Sequence, residues 1–222
     1  MRRPLWTHLV KELRIEWRTL DALVSMLFFS ALVVVLFSMA FEPGGEFSRQ
    51  IAGGVFCVAS MFASVTVLNQ TWGREMRNQA LDAQRMAPSS AAELYLAKVV
   101  ANFFFVVIVQ ALLAPLIYVF FNLRILGQGW MLLLALPLGA WALAANGTFF
   151  AALALRSRNR ELLLSLILFP IFIPALLALT QAITAILSAD GAPVLWLKLL
   201  VGYDVIYTAA SLLLFDAVFH AE

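Results

Sequence analysis

Five stretches of this chain, Ala22 to Phe41, Gln50 to Trp72, Val99 to Phe121, Trp130 to Leu155 and Leu162 to Ser188, contain no Lys, Arg, Asp or Glu. Crossing the hydrocarbon layer takes about 20 mostly apolar residues, and each stretch is long enough. Inside a bilayer every backbone polar group must be satisfied within its own segment, so runs of this kind become helices. A sixth stretch, from about Trp196 to Phe215, carries Lys198 and Asp204 and is the weakest. The expectation is an all-α polytopic membrane protein with six transmembrane helices, forming one domain over residues 1–222. Its spans lie at about 22–41, 50–72, 97–121, 130–155, 162–188 and 196–216. With 63% hydrophobic and 13% charged residues, the chain cannot cover a water-soluble core with polar surface.

The first apolar run begins only after some twenty residues and lacks a small-residue cleavage site before Glu42, so the start is expected to be retained. Cys57 is the single cysteine and lies within the second span, which excludes an intramolecular disulfide and a cysteine-cluster metal site.

Basic residues set the orientation, because Lys and Arg in short flanks stay on the cytoplasmic side. One side collects Arg2, Arg3, Lys11, Arg14, Arg18, Arg74, Arg77, Arg85, Lys98, Arg156, Arg158 and Arg160, twelve of the 15 basic residues. The other side has Arg49, Arg124 and Lys198. Both termini are therefore expected in the cytoplasm. There is no soluble basic domain, so nucleic acid is not an expected partner.

Before the first span, Leu5, Trp6, Leu9, Leu13, Trp17 and Leu20 recur at helical spacing, with Lys11, Arg14 and Arg18 on the opposite side. This pattern describes an interfacial helix over residues 1–20, either a topology anchor or an elbow bracing the first span against a partner. Between Arg74 and Lys98 lies the one long polar interruption, Glu75 to Ser90, read as an amphipathic helix that stops at Pro88. A surface helix without a partner and a contact for a soluble protein both fit it. The turn Arg156 to Glu161 fits a positive-inside signal or a second cytoplasmic contact through Arg156, Arg158, Arg160 and Glu161.

Pro170 and Pro174 share one face of the fifth span. Each removes a backbone donor and clashes with the carbonyl four residues earlier, giving a fixed kink or a working hinge. Tyr203 and Asp204 form the candidate intramembrane polar site. A carboxylate at mid-span costs about 3 kcal/mol to insert, which leaves two readings: an interfacial acid paired with Lys198 or solvated, or a group facing the bundle.

Catalytic chemistry finds no motif here. His8 and His220 lie near the cytoplasmic ends, no HExxH, GxSxG or CxxC occurs, and no glycine begins a GxxxxGK[ST] phosphate loop. No catalytic or metal residue is expected. If ATP drives the protein, a separate subunit binds it. Secondary transport is disfavoured, since ion coupling uses several buried carboxylates. The sequons at Asn69 and Asn146 fall in predicted spans and are expected to be silent.

From Arg74 through Lys98 the chain resembles the loop of ABC-2-type permeases: Glu75, then Leu81 with Asp82, Pro88, and Lys98 opening the next span. With Lys11 to Arg18, Arg158 to Leu164, Phe169 to Pro174 and Tyr203 to Ile206 added in this order, the whole chain resembles the haem exporter protein B (CcmB) family. Gln79 stands where that family often has Gly. The resemblance implies the permease subunit of an ABC complex for cytochrome c maturation in the bacterial inner membrane. It implies an ATP-binding subunit, a haem-handling membrane protein and two copies of this chain as partners, with ATP bound by the partner and haem as a possible cargo. Glu75, Arg77, Leu81, Asp82, Arg85 and Pro88 would form the coupling helix that touches the ATPase. Such a complex would export haem or release a haem-loaded chaperone, and the second is preferred because neither histidine lies where it could be an axial ligand in a path. A generic exporter of lipid, polysaccharide or drug, and a membrane scaffold without transport, are the alternatives.

Overall fold

A computed structural model describes residues 4–19, 21–77, 90–155, 157 and 159–220. Seven α-helices fill these residues: α1 (Pro4–Thr19), α2 (Asp21–Ala40), α3 (Glu46–Arg77), α4 (Ala91–Phe120), α5 (Leu132–Ala154), α6 (Arg160–Ser188) and α7 (Pro193–His220). A 3-10 turn, Gly129–Met131, leads into α5. Helices α2 to α7 are each long and apolar enough to cross a bilayer, so the six-span, all-helical expectation holds.

Two helices begin earlier than the apolar runs suggest. Ser90 caps α4: its hydroxyl accepts from the Glu93 amide at 3.3 Å while its own amide donates to Glu93 Oε2 at 3.2 Å. This reciprocal capping box satisfies two otherwise orphaned donors and starts the helix at Ala91. Lys98 therefore stands about 10 Å inside α4 rather than opening the span. Helix α7 likewise starts at Pro193, where proline's fixed φ and missing donor suit the first helical position.

The bundle closes around α5, which packs on α3, α4, α6 and α7. Its buried face is built from small residues, among them Ala140, Ala142, Ala144, Ala145, Gly147 and Ala151. Association in lipid relies on close van der Waals approach rather than on the hydrophobic effect, and small residues permit it. Gly147 is the tightest instance, where an added Cβ would collide with the Leu68 side chain of α3. Helices α2 and α3 form a second close pair, tied where Ser30 Oγ donates to the Ala59 carbonyl at 3.1 Å. Large apolar side chains such as Phe28, Leu32, Met39, Val205, Ile206 and Leu213 point outward, as expected of faces that meet lipid or other membrane helices. Helix α1 lies mainly along α4 rather than along α2.

Candidate functional site

The polar groups that matter in this fold lie at two levels. The first is the foot of α4. Lys98 is fully buried, and its Nζ meets Glu12 Oε1 of α1 at 2.9 Å, with Lys11 Nζ 3.7 Å from the same oxygen. A lysine cannot be left inside an apolar bundle uncompensated, so the pair fixes α1 against α4.

The second level is the middle of the bundle, where α5, α6 and α7 meet. Asn146 of α5 donates to the Ala142 carbonyl at 2.9 Å and to Tyr203 Oη of α7 at 3.2 Å. The Tyr203 hydroxyl in turn donates to the Ile171 carbonyl of α6 at 2.8 Å. Ile171 lies between Pro170 and Pro174, in the turn that proline rings loosen. The tyrosine thus ties α7 to the turn between the two prolines, next to the Pro170 carbonyl that loses its helical donor to Pro174. Tyr203 also stacks on Tyr207 with ring centroids 4.3 Å apart.

Asp204 follows directly. It is 7% exposed, and neither carboxylate oxygen has a hydrogen-bond partner among the described residues. No ion pair joins it to Lys198, which is exposed and lines a lateral groove with Trp130 and Trp141. The pairing with Lys198 is therefore not formed. The reason is spacing: six residues apart on one helix, the two side chains are separated by about 9 Å of rise and point to different faces, Lys198 outward and Asp204 into the bundle.

Neighbouring polar side chains tie the same helices. Asn102 of α4 donates to Thr148 Oγ1 at 2.9 Å, and Thr148 back-bonds to the Ala144 carbonyl at 2.7 Å. Tyr95 of α4 donates to the Ala145 carbonyl at 3.1 Å, and Trp141 Nε1 donates to Thr208 Oγ1 of α7 at 3.0 Å. Sequence reasoning passed over Asn102, Thr148 and Asn146, the last noted only as a sequon. Their signal was available: an amide or hydroxyl within an uncharged span must find a partner on another helix or on its own backbone.

The remaining expected positions divide cleanly. Glu75 and Arg77 fall in the last turn of α3, and Arg160 and Glu161 open α6. Leu81, Asp82, Arg85 and Pro88, with Arg156 and Arg158, lie outside the described residues. Pro170 and Pro174 are both inside the continuous helix α6.

Residues 3–220 match the protein family described as CcmB protein. The chain is 30% identical over 195 residues to heme exporter protein B of Pseudomonas aeruginosa, covering 85% of each chain. It is 27% identical over 175 residues to heme exporter protein B of Haemophilus influenzae, covering 79% of each. With heme exporter protein B of Rhodobacter capsulatus it shares 29% identity over 169 residues, covering 76% of this chain and 77% of the relative.

Proposed function

The chain belongs to the CcmB family, and from that premise we propose that it is the membrane permease subunit of an ABC-type complex for cytochrome c maturation. In this reading ATP is hydrolysed by a separate subunit, and the energy drives haem export or the release of a haem-loaded chaperone beyond the membrane. The chain itself is not an enzyme. Both termini and the segment 75–88 face the cytoplasm of a bacterial cell, and two copies of the chain assemble with the ATPase and a haem-handling membrane protein.

One observation carries the reading: the buried Lys98–Glu12 pair locks α1 to the foot of α4, close in the chain to the segment that joins α3 to α4. A push on that segment reaches α4 through the short capped start at Ser90, and α1 moves with it. The polar layer gives the motion somewhere to go. Helices α5, α6 and α7 are held by directional hydrogen bonds around Tyr203 and two prolines, an arrangement that has discrete alternatives rather than a continuous range.

The test is charge reversal of Glu75 and Asp82 together in the full complex. Loss of ATPase co-purification, or hydrolysis no longer coupled to maturation, is the expected result. Normal association with normally stimulated hydrolysis would overturn the proposal.

A further inference from the structure

At the end of the bundle opposite Lys98, the first turn of α3, the last turns of α6 and the start of α7 enclose a polar cavity of about 410 Å³ lined by Glu46, Arg49, Gln50, Gln181, Thr184 and Asp190. Arg49 Nε is withdrawn from solvent and has no hydrogen-bond partner among the described residues. Neither Glu46 nor Asp190 forms an ion pair with it among those residues. A buried guanidinium nitrogen without a partner is unusual, and Arg is enriched where it can grip a planar or tetrahedral oxyanion.

A second, largely apolar cavity of about 340 Å³ shares Gln181 with the first. It runs toward the middle of the bilayer along the seam of α3 and α6, past Gly54, Cys57, Val58, Leu177 and Ile173. The helices are pinned together at the top of this seam, since a Cβ on Gly53 would lie 2.9 Å from the Thr180 carbonyl oxygen. Lower down the groove opens sideways, with Ile173 59% and Leu177 51% exposed. Trp196 borders the polar chamber, at the depth where tryptophan marks a membrane interface.

We propose that the two cavities together bind one phospholipid with a zwitterionic, amine-bearing headgroup. Its phosphate sits on the Arg49 guanidinium, its ammonium group lies between Glu46 and Asp190, and one acyl chain descends the α3–α6 groove. One cation and two carboxylates around a polar chamber match a headgroup carrying both signs better than an anionic one. A polar chamber and an apolar groove that meet at Gln181 match an amphiphile. A small phosphate compound would use the Arg49 chamber and leave the groove empty. The site is independent of how the cytoplasmic end is driven.

Native mass spectrometry of the full-length chain, stripped of lipid and titrated with phosphatidylethanolamine, phosphatidylglycerol or inorganic phosphate, tests the proposal. The wild type should prefer phosphatidylethanolamine, and Arg49→Gln should weaken that binding about tenfold, the loss of one charge-assisted contact. Val58→Trp, which fills the groove and leaves the headgroup chamber intact, should weaken it as well. Glu46→Gln with Asp190→Asn should level the two lipids. Gel filtration and helical circular dichroism matching the wild type qualify each variant. Unchanged phosphatidylethanolamine binding in both Arg49→Gln and Val58→Trp overturns the site. Displacement of the lipid by millimolar inorganic phosphate, with Val58→Trp without effect, overturns the lipid assignment in favour of a free oxyanion.

Discussion

Lys98 Nζ and Glu12 Oε1, 86 positions apart in sequence, stand 2.9 Å from each other with the lysine wholly withdrawn from solvent. Removing one member of a buried pair destabilises by up to about 3–5 kcal/mol, with Lys11, 3.7 Å from Glu12 Oε1, offsetting part of the charge that loss of Lys98 would leave. Lys98→Met alone should therefore lower thermal stability sharply in detergent, whereas Lys98→Met with Glu12→Leu should recover most of the loss. A double variant as unstable as the single one would show that the pair does not act as a unit. Complex activity should stay impaired in the double variant if α1 must move with α4.

Tyr203→Phe removes the hydroxyl that bridges Asn146 and the Ile171 carbonyl. Hydrogen bonds between membrane helices average about 0.6 kcal/mol and reach about 1.7, so the stability change should be near 1 kcal/mol and well below that of Lys98→Met. Steric trapping or unfolding in mixed micelles measures it. A loss above about 3 kcal/mol would mean that the hydroxyl holds more than these two partners.

Asp204 is the opposite case, a buried acid whose oxygens are unpaired among the described residues. Replacing such a group by an apolar one of similar size removes a desolvation cost of about 1–3 kcal/mol. Asp204→Leu should raise the melting temperature of the isolated chain. If the carboxylate serves the complex, the same variant should fail to support cytochrome c maturation. A destabilised isolated chain would contradict this account of Asp204.

Pro170→Ala with Pro174→Ala restores two helical donors to α6, to the carbonyls of positions 166 and 170. Turnover of the complex should fall while assembly, followed by co-purification, stays intact. Unchanged turnover would assign the prolines to a fixed bend.

The helices themselves were plain in the sequence because a run of twenty uncharged residues has few other ways to satisfy its backbone. Their ends were less plain. The span from Val99 was expected to open at Lys98, but the Ser90–Glu93 capping box starts it at Ala91, and a box is a four-residue signal that a hydropathy window averages away. Lys98 itself was read as a topology charge, since nothing local marks Glu12 as its partner. Asp204 and Tyr203 stood out because acids are rare in spans, yet the Asn146 and Ile171 side of that layer depends on three helices meeting at one height, which no single segment encodes. For the coupling segment, Leu81 to Pro88 lie outside the described residues, and their role rests on the charge reversal test.

Helix α5, threaded with alanines and drawn against four neighbours, leaves the heart of the bundle solid. In the proposed role, a flat macrocycle would pass along the outside of such a block rather than through it. Under the proposed function, mechanical work done at the Lys98 end would then be delivered as a lever stroke to the flanks, a surface shared with another polypeptide or with lipid.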